Sequence, residues 1–304
     1  MTLGVLTVTF NAADYLRPFL ACCLAQQPGD FKLLVIDNSS SDASAEIVAQ
    51  VADPRVELIV NTVNVGYAQA CNQGLLHLAR AGSDEILFIN NDTEFDTTLF
   101  DTLAARRREH GADAVTPRIT YFDDPSRDWY RGGRFVFWKG FQGVHFAKPG
   151  QRNTPAETAN WTDTAPGCCV LIRLETFKRI GLFDPTYFVY FEDVDFFLRM
   201  QRAGLRLLCL SDTVIAHKIS LATGGSQSDF SLRYYQRNQI YALRKHFSSL
   251  VVWSQVMLLC AKATMRRLLG RDDARQYKLR LRSMREGLEL PLPPADTTAG
   301  AQWL

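Results

Sequence analysis

Polar side chains end two apolar runs of this chain, and their types could bind a charged ligand. Residues 85–89 run into Asn90, Asn91 and Asp92, and residues 31–36 run into a polar stretch that begins at Asp37. Because the carboxyl ends of parallel strands meet at one edge of a sheet, we predict a single ligand crevice that contains both aspartates. Helix capping is the alternative interpretation, since Asn, Asp and Ser are common N-cap residues.

A second candidate group consists of the carboxylates that follow an aromatic segment at residues 187–191. Glu192, Asp193 and Asp195 lie within four positions of one another. Apolar surroundings raise the pKa of a carboxylate, as a general base near neutral pH requires, so Glu192 and Asp193 are candidate bases. A structural role is also open, because acids in a first helical turn complement the helix dipole and Asp195 could pair with Arg199.

His217 is a third candidate, placed after a short predicted strand at 206–210 and its loop, and before the glycine-rich residues 224–226. A lone histidine is more often a buried imidazole with its hydrogen bonds satisfied than a metal ligand. A Mg²⁺ or Mn²⁺ ion on Asp92 would nevertheless need further ligands, and an imidazole could be one of them.

The elements that must position these residues alternate along the first 120 residues. Predicted strands and helices follow one another at 3–9, 13–26, 32–36, 43–51, 56–60, 66–81, 85–89 and 97–110. This alternation predicts an α/β fold with a mostly parallel sheet and helices on both faces. No GxGxxG or GxxxxGK[ST] sequence follows these strands, which argues against a dinucleotide dehydrogenase and a P-loop NTPase.

The middle of the chain is richer in glycine and aromatic residues than the first part, and we expect it to build the second wall of the crevice. Hairpins and loops are predicted in the glycine-rich, aromatic residues 129–146, and a strand at 165–173 precedes a helix that ends near Gly181. The aromatic residues there, with Trp161, suit either the apolar face of a ligand such as a sugar ring or core packing.

The C-terminal part is predicted to be helical and basic. The whole chain has a formal net charge of only +2, but residues 262–285 contain nine Lys or Arg and two Asp. An apolar helical face is predicted at Met257, Leu258, Ala261, Met265 and Leu268, flanked by basic residues. The segment is too short and too polar to span a bilayer, so it either lies on an anionic membrane surface or docks on the catalytic domain or a second subunit. The interleaved apolar residues disfavour nucleic acid as a partner.

Composition limits the remaining possibilities. Hydrophobic residues make up 47% and charged residues 22% of the chain, as in ordinary globular proteins. Seven cysteines without any CxxC spacing indicate reduced core residues. The chain enters a predicted strand almost at once and has no basic n-region, which predicts a cytoplasmic location, with peripheral contact at the cytoplasmic face of the inner membrane.

Taken in order, the candidate residues resemble a GT-A-fold, family 2 inverting glycosyltransferase, most like the bacterial rhamnosyltransferase-type branch. The resemblance covers roughly residues 3–226, and its specificity comes from the ordered set rather than from any single motif. It implies that a nucleotide sugar is bound by Thr9, Phe10, Asn11, Asp37, Asn64, Gly66, Asn72, Asn90, Asn91 and Gly167.

The same resemblance implies catalytic and metal-binding roles. Asp92 matches the last acid of the DxD motif, which binds Mg²⁺ or Mn²⁺ on the diphosphate, and His217 would complete the metal shell. Asp193 matches the catalytic base of the ED motif that Glu192 begins. Asn90 stands where the first DxD acid would be, which should weaken metal binding. The QxxRW motif of processive synthases is missing, so transfer of a single sugar is expected.

The resulting expectation is a metal-assisted glycosyltransferase of bacterial surface-polysaccharide synthesis, acting on a glycan or lipid-linked acceptor. Its donor would be dTDP-rhamnose first and a UDP-sugar second. We expect a GT-A catalytic domain at 1–228, divided into a nucleotide-sugar half (1–120) and an acceptor half (121–228), and a helical extension at 229–304. A homodimer is one expected assembly. A non-catalytic subunit that binds nucleotide sugars or glycans is the alternative function.

Overall fold

A computed structural model of the protein describes residues 2–27, 30–136, 142–146, 158–218 and 228–293. The predicted glycine-rich residues 224–226, part of the aromatic segment 129–146 and the end of the C-terminal extension lie outside the described residues. The strands within the described ranges are β1 (Thr2–Thr9), β2 (Phe31–Asp37), β3 (Val56–Val60), β4 (Ser83–Ile89), β5 (Thr93–Phe95), β6 (Ala114–Tyr121), β7 (Asp128–Tyr130), β8 (Gly133–Val136), β9 (Gln142–His145), β10 (Ala159–Thr162), β11 (Cys169–Arg173) and β12 (Leu207–His217).

Helices follow most strands of the first half, as the alternating pattern predicts. They are α1 (Ala13–Leu24), α2 (Ser44–Ala49), α3 (Tyr67–Arg80), α4 (Leu99–Glu109), α5 (Leu174–Ile180), α6 (Glu192–Arg202), α7 (Asp229–His246), α8 (Ser249–Leu268) and α9 (Ala274–Glu289). A short 3₁₀ helix, Pro185–Tyr187, precedes α6. None of the helices among the described residues combines the length and the hydrophobicity needed to span a bilayer.

The central sheet has the strand order β10-β12-β6-β11-β4-β1-β2-β3. Neighbours from β4 to β3 run parallel, and so do β6 and β12, whereas β11 runs antiparallel between β4 and β6. The predicted mostly parallel sheet is therefore confirmed. Apolar residues of these strands and the covering helices form one continuous core, and all seven cysteines are free, five of them buried.

The prediction of a strand at 206–210 followed by a loop was wrong. Residues 207–217 form one strand, β12, which pairs with β6 on both sides of an irregularity between Leu210 and Val214. A local bulge absorbs the polar residues that suggested a loop, and the strand continues to His217. This continuation is what brings His217 to the edge of the sheet where Asp92 lies.

The three C-terminal helices form a second, smaller core of their own. Its buried members are Ile240, Leu243, Val252, Val256, Leu259, Ala263 and Met284. Helix α9 approaches α7 closely because Gly287 has no side chain: a Cβ there would lie 2.3 Å from the Arg237 carbonyl oxygen. A separate cluster of Tyr187, Phe191, Tyr241 and Ala242 joins α7 to the segment before α6.

Candidate active site

The ends of β1 and β2 form a polar cradle. Thr9 and Asp37 are partners in the parallel register, and both are buried. One carboxylate oxygen of Asp37 accepts a hydrogen bond from the Ser40 amide at 2.8 Å. Its other oxygen and the Thr9 hydroxyl have no hydrogen-bond partner among the described residues. Because a buried polar atom without a partner costs about 1–3 kcal/mol, this pair is suited to a polar ligand that would satisfy both atoms.

The loop after β1 completes the cradle. Asn11 adopts a positive φ of 50°, and its side-chain oxygen accepts the Ser41 amide at 2.8 Å while its own amide donates to the Ser40 hydroxyl at 2.9 Å. These bonds tie the β1 and β2 loops together. Phe10 is 39% exposed beside them, so a flat apolar ring is open to a planar ligand such as a nucleotide base.

Helix capping, the alternative interpretation of the polar stretch after β2, applies to Asp42 and Ser44. Asp42 accepts a hydrogen bond from the Ala13 amide at 3.0 Å, and the Ser44 hydroxyl accepts one from Ala12 at 2.9 Å. Both therefore satisfy amides at the start of α1, across the loop, and Asp42 also accepts the Ser44 amide at the start of α2 at 3.0 Å. Asp37 takes no part in this capping.

The loop after β3 is ordered by amide side chains. Asn38 donates to Asn64 at 2.8 Å and accepts from the Val65 amide at 3.1 Å, and Asn64 also accepts from the Gly66 amide at 2.9 Å. The side-chain amide of the buried Asn72 makes two hydrogen bonds to the backbone of Phe183: its nitrogen donates to the carbonyl at 2.8 Å, and its oxygen accepts from the amide at 3.1 Å. For Asn72 to contact a nucleotide sugar, its two hydrogen bonds to Phe183 would have to break. The bonds of Asn38 and Asn64, in contrast, fix the shape of the loop itself.

Backbone pairing brings Asp92 and His217 together. Thr93 of β5 is the register partner of His217, and the Lys218 amide donates to the Asp92 carbonyl at 2.9 Å. The Asp92 Oδ1 and His217 Nε2 atoms consequently lie 3.2 Å apart. They are close but do not form a hydrogen bond, because Oδ1 of Asp92 has no hydrogen-bond partner among the described residues. Nδ1, the other ring nitrogen of His217, is also buried without such a partner there. The ring of Trp129 packs beside that of His217, with centroids 5.0 Å apart.

This pair fits a divalent metal ion as two ligands of an incomplete shell. A carboxylate oxygen and an imidazole nitrogen that face each other without a proper hydrogen bond can share a cation. Within the described residues, no group of three or more His, Cys, Asp and Glu side chains is arranged to hold a metal, so a bound diphosphate would have to supply other ligands. Asn90 instead accepts the Tyr67 hydroxyl at 3.3 Å, and Asn91 donates to the Val8 carbonyl at 3.4 Å.

The two carboxylates at the start of α6 have different environments. Asp193 is partly exposed and accepts the amides of Gly167 at 3.1 Å and Val194 at 2.7 Å. Glu192 is buried, and its Oε2 atom has no hydrogen-bond partner among the described residues. Burial, followed by the charge of Asp193, raises the pKa of Glu192 to about 8. Burial also raises the pKa of Asp193, while the Val194 and Gly167 amides oppose that rise. Near neutral pH Glu192 is therefore mostly protonated, and Asp193 is the carboxylate of the pair that ionises first.

The carboxylate pair and the Asp92–His217 pair belong to one site. The Tyr67 hydroxyl donates to the Gly167 carbonyl at 3.0 Å, and the Asn90 amide donates to the Cys168 carbonyl at 2.8 Å. Burial raises the pKa of the Cys168 thiol well above its usual value, and the charges of Cys169, Asp92 and Asp193 raise it further. Both aspartates therefore lie around Cys168. A cavity beside the carboxylate pair is lined by Tyr67, Phe88, Gly167, Val170, Ile172, Phe183, Glu192, Asp193 and Phe197.

Comparison with known proteins decides the family. The sequence profile described as Glycosyl transferase family 2 matches residues 4–181, which is more than half of the chain. The chain belongs to glycosyl transferase family 2. It is 25% identical over 267 residues to an N-acetylglucosaminyl-diphospho-decaprenol L-rhamnosyltransferase of Mycobacterium tuberculosis, covering 80% of this chain and 85% of that protein. It is also 28% identical over 232 residues to the O-antigen biosynthesis protein RfbC of Myxococcus xanthus, covering 73% of this chain and 18% of that protein.

Solved structures confirm the GT-A fold of this glycosyltransferase. GalNAc-T7 with UDP, GalNAc and Mn²⁺ superposes with a TM-score of 0.64 at 16% identity, covering 95% of this chain and 56% of that one. A mannosyltransferase of Pyrobaculum calidifontis in complex with GDP-Man and Mn²⁺ gives 0.59 at 15% identity, covering 96% and 76%. The S. aureus protein TarS, residues 1–349, with UDP-GlcNAc gives 0.60 at 14% identity, covering 95% and 81%.

Asp195 of this glycosyltransferase family 2 site is structural. The predicted pair with Arg199 is confirmed at 2.9 Å, and His246 and Lys245 of α7 also contact the carboxylate, at 2.7 and 2.9 Å. Burial alone would raise the pKa of Asp195, but Arg199, His246 and Lys245 together hold it well below its usual range. This ionised, fully buried carboxylate fastens α6 to the end of α7.

The segment before α6 is strained and is held by α7, which sequence reasoning did not foresee. Phe188, Tyr190 and Phe191 all have positive φ, and the Val189 amide closes a γ-turn onto the Tyr187 carbonyl at 2.7 Å. The side-chain nitrogen of the fully buried Asn238 lies 2.7–2.8 Å from the carbonyl oxygens of Tyr187, Val189 and Tyr190. Such strain persists only where the surroundings over-determine it, and Asn238 supplies that constraint.

Two further contacts strengthen this arrangement. Arg237 donates to the Thr186 and Tyr187 carbonyls at 2.8 and 2.9 Å. Gly66, with φ of 85°, lets the start of α3 reach the strained segment: a Cβ there would lie 2.8 Å from the Phe188 carbonyl oxygen. The ring of Tyr235 on α7 packs against that of Phe191, with centroids 5.0 Å apart, and burial and the charge of Asp193 raise the pKa of Tyr235 to about 12. Helix α7 is therefore a wall of the site.

We predict that Asn238→Ala lowers kcat by about tenfold or more, because a shift of about 1 Å at a catalytic group can cost 10²-fold. Steady-state kinetics would show kcat falling while KM for the donor changes little, since Asn238 bonds the segment before α6 and not the donor cradle at β1 and β2. The fraction of binding-competent molecules, measured by calorimetric titration, controls for misfolding. An unchanged kcat per competent molecule would contradict the positioning role of Asn238.

Proposed function

We propose that this glycosyltransferase moves a single sugar, with inversion, from a nucleotide diphosphate donor to a glycan or lipid-linked acceptor. The observation that supports this most strongly is the grouping of Asp193, Asp92 and His217 around Gly167 and Cys168. One carboxylate there, Asp193, is partly exposed and ionises before its neighbour Glu192. A second carboxylate, Asp92, faces the His217 imidazole, and the two would form part of a metal shell. A single-displacement transfer needs a base for the acceptor hydroxyl and a group that stabilises the leaving diphosphate in one crevice.

In the proposed mechanism Asp193 is the general base. Its carboxylate takes the proton of the acceptor hydroxyl as that oxygen bonds to the anomeric carbon, and the bond from the anomeric carbon to the diphosphate breaks with its electrons leaving on the phosphate. Glu192 stays protonated next to it, which spares Asp193 a like charge at close range. Thr9, Phe10, Asn11 and Asp37 would hold the nucleoside.

The metal that fits Asp92 and His217 best is Mn²⁺ rather than Mg²⁺. Imidazole nitrogen is a common ligand of transition metals, whereas Mg²⁺ prefers an octahedron of oxygens. When bound, the ion would stabilise the negative charge that develops on the leaving diphosphate. Asn90 in place of an acid leaves this site with one protein carboxylate, so we infer weaker metal binding than a two-carboxylate site gives.

For the substrates we infer dTDP-rhamnose as donor and a lipid-linked sugar as acceptor. The supporting observation is the similarity to a relative named as an L-rhamnosyltransferase of a decaprenol-linked sugar. A UDP-sugar is the second candidate donor, since solved proteins with this fold hold UDP or UDP-GlcNAc. We assign residues 1–120 to the donor and 121–228 to the acceptor, with 229–304 as a helical extension, and we place the reaction at the cytoplasmic face of a membrane.

A thermal-shift panel of nucleotide sugars tests this proposal. A ligand at 100 times its Kd adds about 2.7 kcal/mol of apparent stability, so the true donor should raise Tm clearly in the presence of Mn²⁺. We expect dTDP-rhamnose to give the largest shift and a UDP-sugar the next largest. Radiolabelled transfer to a polyprenyl diphosphate sugar would then check the acceptor. No shift with any nucleotide sugar would contradict the proposal.

A further inference from the structure

Helix α8 has two apolar faces, and only one of them is packed. The face formed by Val252, Val256, Leu259 and Ala263 is buried against α7 and α9. On the opposite side, large apolar side chains recur at helical spacing and are between 55 and 83% exposed: Leu250, Trp253, Met257, Met265 and Leu268. The apolar face predicted from the sequence is this exposed one. Docking of that face on the catalytic domain, one of the alternatives left open by the sequence, is not seen among the described residues, because the packed face of α8 is the other one and lies against α7 and α9.

Basic side chains border this exposed stripe. Lys262 and Arg267 lie on its two flanks, and Arg271 follows the end of the helix; all three are exposed. None of the three forms an ion pair within the part of the chain that the structure describes, in contrast to Arg266, which binds Asp272 at 2.8 Å. Helix α8 itself contains no Asp or Glu. The charged side chains that border the stripe within α8 are thus all positive.

We propose that the exposed stripe of α8 binds the surface of an anionic phospholipid bilayer, with the helix lying in the interface. Apolar side chains at helical spacing flanked by Lys and Arg suit burial at the boundary of headgroups and acyl chains, and Trp253 has the amphipathic ring favoured there. The helix lies on the bilayer and does not cross it, in keeping with its length and hydrophobicity.

Charge favours a bilayer over a second copy of this chain. Two α8 stripes in contact would bring Lys262, Arg267 and Arg271 of each copy to a helix that offers no carboxylate. An anionic lipid surface supplies the missing negative charge, and each basic residue near it strengthens attachment. The helix starts three residues after α7 ends, so membrane attachment would be transmitted to the helix that holds the catalytic segment.

Co-sedimentation of the full-length protein with phosphatidylcholine vesicles, with and without phosphatidylglycerol, tests this surface. We expect binding to the anionic vesicles only, weakened by added salt. The double variant Met257→Asp and Leu268→Asp should bind at least about tenfold more weakly, because it places charge in the buried part of the interface. Val63→Asp is the matched control: Val63 is 62% exposed, close to the 66% of Met257, but lies outside α8.

A second variant keeps the test decisive if the first one unfolds. Replacement of Lys262, Arg267 and Arg271 by Gln leaves the apolar stripe intact and should reduce binding to anionic vesicles by about tenfold or more. Absence of wild-type binding to anionic vesicles, or equal binding by the wild type and both variants, would overturn the proposal. So would a wild-type dimer in sedimentation that Met257→Asp dissociates, without any lipid binding. Lipid binding is measured without a sugar donor, so this result is independent of the proposed transferase activity.

Discussion

Asp193→Asn is expected to lower the transfer rate by at least about 10²-fold while donor binding stays near its wild-type value. The asparagine keeps the size of the side chain and can still accept the Gly167 amide, which lies 3.1 Å from Asp193 Oδ2. It cannot take a proton from the acceptor hydroxyl. Transfer measured under saturating donor and acceptor, with donor affinity from calorimetry, separates the two effects.

Glu192→Gln is the comparison variant for this prediction. Since burial and Asp193 raise the pKa of Glu192 to about 8, the wild-type side chain is mostly neutral at pH 7, and glutamine resembles that form. We expect a loss of no more than about tenfold, much smaller than for Asp193→Asn. The reverse order of the two losses, or near-normal turnover in Asp193→Asn, would remove Asp193 from the role of base.

The pH profile offers an independent reading of the same assignment. A general base works only when deprotonated, so the rate should fall as pH falls through the pKa of Asp193. Because burial raises that pKa, the acid limb of kcat/KM should lie at higher pH than for an ordinary aspartate. The limb should disappear from the residual activity of Asp193→Asn, where this group no longer titrates.

The strands that carry the site could be predicted because buried strands appear in the sequence as runs of apolar residues. Residues 31–36 and 85–89 are buried on both faces in the parallel sheet, so they appear as apolar runs, and the polar residues after them mark the carboxyl edge. Asp37 and Asp92 were therefore placed correctly with respect to the sheet. Tyr67, which joins Asn90 to Gly167, adjoins Gly66 of the expected nucleotide-sugar set, but its bonds depend on tertiary contacts.

Other parts of the site could not be derived from local patterns. Asn238 lies 48–51 positions from the carbonyls that it holds, and nothing in its helical neighbourhood distinguishes it from a solvent-facing residue. Asn72 carries the pattern of a pocket residue, yet its amide binds Phe183, 111 positions away. The stripe of α8 was visible as an apolar face, but only packing shows which of the two apolar faces is covered.

Asp92→Ala is expected to lower the Mn²⁺-dependent affinity for a nucleoside diphosphate by at least about 10²-fold, since even outer-shell changes at metal sites cost about 10–100-fold. His217→Ala should have the same direction of effect. Calorimetric titration of the nucleotide with Mn²⁺, and again with EDTA, measures the metal-linked part alone. Glu94→Gln is the matched control, because Glu94 is the next carboxylate along the chain and pairs with Lys218 at 2.6 Å instead of facing His217.

Asn90→Asp should change metal binding in the opposite direction. The new carboxylate would add a second negative ligand beside Asp92 and could still accept the Tyr67 hydroxyl, which now lies 3.3 Å from Asn90 Oδ1. We therefore expect tighter Mn²⁺ binding in Asn90→Asp and weaker binding in Asp92→Ala. A nucleotide affinity that is the same with Mn²⁺ and with EDTA in the wild type would reject the metal site at Asp92 and His217. Asp193 would then have to catalyse transfer from a nucleotide sugar that is bound without a divalent cation.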